Sequence, residues 1–403
     1  MTKKAIYLTI ILVCNLVIIT FLSVRIFNMY INKNSLEVVD TDVVTEEVVE
    51  KIKKVKLSMV GDLLYEEPYY DSVNDGDDKT IYLSNMKDYF LNDDLSLANL
   101  EVVITNGNLK VSGEGYSFCA PQYVGEQIID VGLDVLSTAN NHSNDRGLEG
   151  RVSTIEYFKN NSNIMTVGTY DENREIENNV IEKNGIKFGF LAYTYATNVP
   201  VSKDLRYSLG IFKDPSTYTI TEENRSLIRE EVSRLREMVD CLIVFMHWGK
   251  EFTYKQTNEQ LMLASFLNEL GVDIIVGTHS HCIQPIEWIR TEYHDTLVYY
   301  SLGNFISADN EVVGASLTFD NAYQFGLMSQ LEVSLDDNDK LIINNITTEP
   351  IINYYDSNER NFMLIPYNNY EEIYETSHFR YKYGFDKEFV YDTYLNVIKE
   401  EFR

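Results

Sequence analysis

Short apolar runs separated by amphipathic segments dominate the hydrophobic pattern of residues 55–325. Several runs are too continuously apolar to have one wet face, as expected of strands that are covered on both sides. The predicted strands are KVKLSMVGD, DVLSTANNH, NIMTVGT, IKFGFLAYTYA, CLIVFMHWG, VDIIVGTHSH and TLVYYSLGNF. The segments SLIREEVSRLREMV and NEQLMLASFLNEL have helical spacing, and Gly271 follows the second as a suitable helix end. Alternating strands and helices predict an α/β or layered α+β fold.

The pattern changes after Gly326, where FGLMSQLEVSLDD and KLIINNITTEPII indicate two strands joined by a polar turn at 336–339. The last stretch, from Tyr354, is rich in Tyr, Asn and Glu and ends in a predicted helix, DKEFVYDTYLNVIKEEF. We therefore predict a main domain over 55–325 and a C-terminal hairpin and helical extension over 326–403.

The N-terminus contains an uncharged run from Ala5 to Val24, preceded by Lys3 and Lys4 and followed by Arg25. About 20 apolar residues suffice to span a bilayer, and the run lacks the shorter apolar core and small-residue cleavage site of a removable signal. We predict a signal anchor, a transmembrane helix over residues 1–25, followed by an acidic linker over 26–54. The basic flank predicts a cytoplasmic N-terminus, which makes the protein a single-pass protein of the cell membrane with an extracytoplasmic body.

The chain is strongly acidic, with 62 Asp and Glu against 34 Lys and Arg and a formal net charge of -28. Such a charge repels nucleic acid, so we predict no nucleic-acid partner, and it opposes binding of an anionic polymer unless divalent cations or a local basic groove intervene. Of four cysteines, Cys14 lies in the predicted span, and the remaining three cannot pair completely. We predict buried thiols and no disulfide framework.

Four of the six histidines lie at or just beyond the ends of predicted strands: His142, His247, His279 and His281. His294 and His378 do not. The carboxyl ends of strands are where open α/β sheets bind ligands, so residues at these ends converge although they are far apart in sequence.

Oxygen donors occupy similar positions, namely Asp62, Glu101, Asn140 and Asn141. Carboxylate, amide and imidazole donors without thiolate suit a divalent metal such as Mn, Zn, Fe or Mg. Each residue alone is more readily explained as a hydrogen-bonded loop or turn residue. The joint pattern favours a shared polar site that holds a metal.

Six motifs carry a family resemblance: GDLL at Gly61, NLE at Asn99, ANNHSNDRGLEG at Ala139, HWGKEF at His247, GTHSHCIQP at Gly277 and YSLGNFI at Tyr300. Their order and spacing resemble the CapA family, capsule-synthesis proteins linked to poly-γ-glutamate, and the match covers roughly residues 56–307. The family resembles a branch of the calcineurin-like metallophosphoesterases. The resemblance implies two packed β-sheets flanked by helices.

The resemblance also implies site residues. The implied metal ligands are Asp62, Glu101 as the bridging carboxylate, Asn141, His247, His279 and His281. Asn141 and His142 resemble the family's catalytic Asn-His pair, in which the histidine contacts the phosphoryl group or protonates the leaving oxygen. Three positions depart from the metallophosphoesterase pattern: Leu64 replaces a metal-binding histidine, Glu101 replaces an aspartate, and Ser280 replaces a proline. These departures leave open whether the site holds one metal or two.

Four further residues have two interpretations each. Glu251 is either a hydrogen-bond acceptor that orders His247 or a solvated loop residue. Arg146 either holds a phosphate oxygen or is exposed or salt-bridged. Trp248 is more readily a core residue than a pocket floor, and Asn304 is placed near the site by the resemblance alone.

Three functions remain open. The first is a membrane-anchored component of capsule or poly-γ-glutamate synthesis or export, working with other capsule-synthesis membrane proteins. The second is an extracytoplasmic metal-dependent phosphatase or phosphodiesterase acting on a wall polymer or a small phosphate ester. The third is a non-catalytic scaffold that holds the anionic polymer or partner subunits.

Overall fold

The computed structural model describes residues 53–115, 117–171, 174–214, 216–308 and 321–403. The predicted span over 1–25 and all but the last two residues of the predicted linker lie outside these ranges. Among the described residues, no helix combines the length and hydropathy that crossing a bilayer requires.

The strands are β1 (Lys54–Leu63), β2 (Leu95–Leu100), β3 (Val103–Ile104), β4 (Ser112–Glu114), β5 (Ser117–Ala120), β6 (Val135–Ser137), β7 (Met165–Val167), β8 (Val180–Lys183), β9 (Ile186–Thr194), β10 (Cys241–His247), β11 (Ile274–Thr278), β12 (Ile286–Arg290), β13 (Asp295–Tyr299), β14 (Asn304–Ile306), β15 (Phe325–Leu335), β16 (Leu341–Tyr354) and β17 (Met363–Pro366). The α-helices are α1 (Glu67–Asn74), α2 (Lys87–Leu91), α3 (Gln122–Val131), α4 (Gly147–Asn161), α5 (Glu222–Arg236), α6 (Asn258–Glu269), α7 (Glu372–Ser377) and α8 (Lys387–Val397).

Within the described residues, the strands form two large sheets and a small one. The first sheet has the order β17-β16-β15-β1-β2-β6-β7, with β14 also paired to β1, and the second has the order β12-β13-β11-β10-β9-β8. Strands β1, β2, β6 and β7 are parallel to one another, as are β9, β10, β11 and β13. The carboxyl ends of the parallel strands therefore define one edge in each sheet.

Side-chain alternation along the strands explains the continuous apolar runs. In β10, Ile243 and Phe245 belong to a core shared with Leu57 of β1, whereas Val244 packs on the other face against α5 and α6. In β1, Val60 belongs to a further core on the outer side of the first sheet, with α3 and α4. Because both faces of the central strands such as β1 and β10 are covered, these strands have no polar face. The layered mixed α/β fold predicted from the sequence is confirmed, with two packed sheets and helices on their outer faces.

The C-terminal hairpin completes the first sheet. Strands β15 and β16 pair antiparallel, and β15 also pairs with β1 from Lys54 to Val60. In the connecting turn, the Asp336 carboxylate accepts hydrogen bonds from the backbone amides of Asn338 and Lys340 at 2.8 and 2.9 Å, and Asp339 has a φ of 57°. The segment over 326–403 thus supports the strand that leads into Asp62, while the domain boundaries themselves stay a prediction.

Candidate metal centre

The six predicted metal ligands lie together between the two sheets. Asp62, Glu101 and Asn141 follow or end strands β1, β2 and β6 of the first sheet, whereas the three histidines follow or end strands β10 and β11 of the second. All six side chains are buried. The convergence of strand ends expected from the sequence is therefore found in the structure.

Asp62 is held in place by close packing of backbone on backbone. A side chain at Gly61 would bring its Cβ within 1.9 Å of the Gly303 carbonyl oxygen, so glycine is required before the aspartate. The Asp62 backbone amide donates to that same carbonyl at 3.0 Å. Its carboxylate accepts from Asn99 Nδ2 at 2.7 Å and from the His279 amide at 3.1 Å, so the carboxylate has one fixed orientation.

Glu101 is the clearest indication that the cluster suits a cation. Neither of its carboxylate oxygens has a hydrogen-bond partner among the described residues, although the side chain is fully buried. Burial and the neighbouring Asp62 carboxylate raise the pKa of Glu101 well above its ordinary value, and burial also raises the pKa of Asp62. Two buried carboxylates side by side are unfavourable unless they share a proton or a cation lies between them, and with the imidazoles around it this pair fits a divalent metal.

His247 faces the first-sheet donors. Its Nε2 lies 2.8 Å from Asn141 Oδ1 and 3.4 Å from Glu101 Oε1, while Nδ1 lies 3.0 Å from the Thr278 hydroxyl. Burial, and then the neighbouring His279, lower the pKa of His247 well below its ordinary value. The neutral imidazole is the form that binds a metal.

The loop after β11 is strained at both of its histidines. His279 and His281 have φ angles of 89° and 54°, in the left-handed region that non-glycine residues seldom occupy. His279 Nδ1 is buried without a hydrogen-bond partner among the described residues. His281 Nδ1 lies 3.0 Å from Asn304 Oδ1, and Asn304 Nδ2 donates to the Tyr323 carbonyl at 3.1 Å. This amide orientation places the His281 proton on Nδ1 and leaves Nε2 for a ligand. Strain of this kind is typical of functional sites.

The donors fall into three overlapping groups, in each of which the ligand atoms lie within 4.8 Å of one another. The groups are Glu101 with His247 and His279, Asp62 with Glu101 and His281, and Glu251 with His279 and His281. Mixed carboxylate and imidazole donors suit Mn, Zn or Fe better than Mg or Ca. These residues fit a divalent metal.

His142 lies beside the cluster in the turn between β6 and α4. Its Nδ1 is 2.8 Å from Asp145 Oδ2, and its Nε2 is 3.4 Å from Asn198 Nδ2. Phe118 packs edge-on against the ring at 4.5 Å between centroids. The aspartate therefore fixes the proton on Nδ1 and directs Nε2 away from it, an arrangement suited to proton transfer at Nε2.

Four residues of the site went unrecognised in the sequence: Asn99, Asp145, Tyr195 and Asn198. Asn99 is two residues before Glu101 and so lies on the same face of the chain, and Asp145 is three residues after His142. Both spacings could have identified these residues from the sequence. Tyr195 lies 4.7 Å from His279 and 6.4 Å from His247 between ring centroids. Neither Tyr195 nor Asn198 stands out by residue type.

Asn140 serves the scaffold of the turn. Its Nδ2 donates to the Leu100 carbonyl at 2.7 Å, and its Oδ1 accepts from the His142 amide at 3.1 Å. It therefore ties the turn that carries Asn141 and His142 to the end of β2.

Other predicted alternatives are now resolved. The guanidinium of Arg146 donates to the Lys110 and Asp145 carbonyls and to the Ser112 and Ser117 hydroxyls, so it braces a loop. Trp248 is fully buried and donates from Nε1 to the Tyr300 carbonyl at 2.9 Å, as the core interpretation predicted. Leu64 is 2% exposed and packs in the first sheet's outer core.

The family model for the bacterial capsule synthesis protein PGA_cap matches residues 56–309. The chain is 25% identical over 264 residues to the capsule biosynthesis protein CapA of Bacillus anthracis, and the match covers 63% of this chain and 60% of that protein. It is 29% identical over 178 residues to the PGA biosynthesis protein CapA of Bacillus subtilis, covering 44% of this chain and 43% of that protein. The matches thus span about half of these relatives.

A solved structure with a similar chain path is a putative 5′-nucleotidase from Staphylococcus aureus in complex with alpha-ketoglutarate. The TM-score is 0.40 at 12% identity, and the match covers 78% of this chain and 54% of that one.

Proposed function

The chain belongs to the bacterial capsule synthesis protein PGA_cap family, and from this membership we propose that it is an accessory protein of capsule or poly-γ-glutamate synthesis or export, with a metal-dependent, phosphoesterase-like site. The names of both Bacillus relatives support the biological role. The single observation that carries the chemical part is the fully buried Glu101 carboxylate, whose oxygens have no hydrogen-bond partner in the described ranges.

The proposed location is the cell membrane, with one N-terminal span and an extracytoplasmic body that works beside other capsule-synthesis membrane proteins. The uncharged run from Ala5 to Val24 with its basic flank supports this location. The net charge of -28 opposes direct binding of an anionic polymer. Bound divalent cations would reduce that repulsion, which links the metal site to polymer handling.

The proposed ligands are Asp62, Glu101, Asn141, His247, His279 and His281. A bound divalent metal supplies Lewis acidity and lowers the pKa of a bound water. The chain's own part is to exclude bulk water from the cluster, to hold the carboxylates and imidazoles in fixed orientations, and to keep His247 and His279 neutral.

A second candidate function, hydrolysis of phosphate esters of a wall polymer or small molecule, is favoured by the His142–Asp145 pair. A metal-binding scaffold has no need for a histidine held through Nδ1 with its Nε2 directed elsewhere, whereas a general acid requires this arrangement. In this role His142 Nε2 would give its proton to the leaving oxygen, and Asp145 would stabilise the charged imidazole before that transfer.

The test of the metal site is elemental analysis of the full-length protein, purified without chelator, beside His247→Ala and His279→Ala variants. We expect bound divalent metal in the wild type, its loss in His247→Ala and a reduced metal content in His279→Ala. His294→Ala is the matched control, because His294 bonds to the Val272 carbonyl at 3.1 Å outside the cluster. A wild-type protein that holds no metal after soaking with Mn or Zn would overturn the proposed metal site and leave the scaffold role.

The test of activity is turnover of a generic phosphate ester, compared with capsule production in cells that carry the same variants. Loss of both in Asp62→Ala and His142→Ala would support hydrolysis as part of the capsule role. Intact capsule production in both variants would contradict a catalytic role.

A further inference from the structure

Glu251 stands apart from the other donors of the cluster because it is exposed. Its carboxylate lies in one group with His279 and His281, whose ligand atoms are all within 4.8 Å of one another. The histidines are 4% and 5% exposed, whereas Glu251 faces solvent. The structure thus contradicts the predicted role of Glu251 as an acceptor for His247, because it places the carboxylate beside two other histidines.

The loop that carries Glu251 is fixed to the histidine loop by backbone hydrogen bonds. The Phe252 amide donates to the Ser280 carbonyl at 2.8 Å, and the Trp248 amide donates to the Thr278 carbonyl at 3.3 Å. Phe252 itself has a φ of 57°, so the chain bends sharply directly after Glu251. These contacts set the position of Glu251 relative to His279 and His281 through the main chain, as a ligand position requires.

The spacing of the donors indicates more than one cation position. Ligand bonds of about 2.0–2.3 Å bring the donors of one ion within roughly 4–4.6 Å of one another. Glu251 shares His279 with one buried group and His281 with the other, yet it is grouped with neither Glu101 nor Asp62. A cation bound by Glu251 would therefore lie farther from the buried carboxylates and closer to solvent.

An independent observation also points to a ligand here. His279 Nδ1 is buried without a hydrogen-bond partner among the described residues, although its ring belongs to the group that contains Glu251. An imidazole nitrogen left in this state is unfavourable unless a ligand satisfies it.

We propose that Glu251 is a direct ligand of a second divalent cation, held with His279 and His281 at the solvent-facing rim of the buried metal centre. A neutral imidazole offers one nitrogen lone pair, so these two histidines serve the outer cation and leave the first one to Asp62, Glu101, Asn141 and His247. The proposal rests on the metal site of the proposed function and adds to it an outer, exchangeable position. One carboxylate and two imidazoles leave coordination places open to solvent, where an oxyanion of the substrate would bind.

The experiment is titration of the chelator-treated full-length protein with Mn²⁺ by isothermal calorimetry, with bound metal counted independently by elemental analysis. We expect two equivalents in the wild type, the second one weaker. Glu251→Gln should weaken that second equivalent by at least ~tenfold and leave the first unchanged, since loss of even an indirect partner costs about 10–100-fold in metal affinity. Glu251→His, which supplies another donor without a negative charge, should restore the second equivalent in part.

The charge-matched control is Glu269→Gln, which removes another exposed carboxylate at the end of α6 and should titrate like the wild type. Equal weakening in both Gln variants would overturn the proposal, because the effect would then come from net charge. Two unchanged equivalents in Glu251→Gln would overturn it while leaving the buried centre intact. A wild type that binds no Mn²⁺ would instead overturn the metal site of the proposed function, and the outer position with it.

Discussion

Two buried histidine environments lie in different parts of this molecule and are satisfied in opposite ways. His378, just after α7, is 3% exposed, its Nε2 lies 2.9 Å from the Asn353 carbonyl, and its Nδ1 accepts the Arg380 amide at 3.0 Å. His279, beyond β11, is 4% exposed and has an Nδ1 without a partner among the described residues. The backbone uses both nitrogens of the first ring and leaves a nitrogen of the second available.

Burial and a lowered pKa do not distinguish these environments, because burial lowers the pKa of both histidines. The two environments differ in three ways. The Nδ1 atom of His279 has no hydrogen-bond partner among the described residues, His279 has a φ of 89°, and buried carboxylates lie near His279. A ligand histidine is therefore recognised by what its ring nitrogens lack, and a structural histidine by what they already have.

The largest effect should come from the metal itself. A metal that binds only the folded state, present at about 1,000 times its Kd, stabilises that state by about 4 kcal/mol. We expect this increment in the wild type and in His378→Gln, and a smaller one in His279→Gly. Thermal unfolding with Mn²⁺ and with chelator measures it.

His279→Gly also sharpens the comparison through the backbone. Glycine adopts a φ of 89° without strain, so the metal-free Gly variant should unfold at a higher temperature than metal-free His279→Ala. A metal-dependent increment as large as that of the wild type in either variant would contradict the ligand role of His279.

The next effect concerns pH and belongs to His378. Burial lowers the pKa of His378 to about 4 from 6.5, so between these values the unfolded chain binds more protons than the folded one. The stability contribution is fully present above pH 6.5 and is lost as the pH falls through 4, by about 3 kcal/mol. Denaturant unfolding from pH 7 to 4 should give a shallower fall in His378→Gln than in the wild type.

Both proteins in that experiment are measured with chelator, so that the site histidines contribute equally and cancel in the difference. Parallel pH profiles would show that His378 accepts a proton in the folded state at its ordinary pKa. The contrast between the hydrogen-bonded ring nitrogens of His378 and the unpaired nitrogen of His279 would then be lost.

The sequence predicted that the candidate donors lie together, because residues at the ends of neighbouring parallel strands meet at one edge of a sheet. Asp62, His247 and His279 end or follow apolar runs, and parallel strands bring such ends to one edge. It also separated His378 from the ligands, since no strand leads into that residue.

The remaining features depend on tertiary contacts that no local pattern encodes. Asn198 contacts His142 from a loop 56 residues away in the sequence. The Arg146 guanidinium donates hydrogen bonds to loop carbonyls and hydroxyls. One of the two interpretations of Glu251 put it beside His247 because of the spacing of four residues. The loop after β10 does not continue as a helix, so that spacing does not bring the two side chains together.

A smaller effect is expected at His142, which is held by the Asp145 carboxylate, whereas His378 is held by a backbone carbonyl. Asp145→Asn keeps an oxygen for the Phe118 amide, which Asp145 Oδ2 accepts at 2.7 Å, but removes the charge beside His142. If the protein hydrolyses phosphate esters, kcat should fall by roughly 10²-fold, the lower range for general acid catalysis, with metal content unchanged. Unchanged kcat would exclude proton transfer by His142, and lost metal would show that Asp145 supports the cluster.

The smallest effect tests how the ligand histidines are oriented. His378 is fixed by main-chain groups that mutation does not remove, whereas His281 is fixed by the Asn304 side chain at 3.0 Å. Asn304→Ala should weaken Mn²⁺ binding by about tenfold, the lower end of losses for such partners, because the His281 ring loses the acceptor that sets its tautomer. Asn345→Ala, at an exposed position of β16, is the control and should bind like the wild type. Unaltered affinity in Asn304→Ala would mean that the strained backbone at His281 orients the ring by itself.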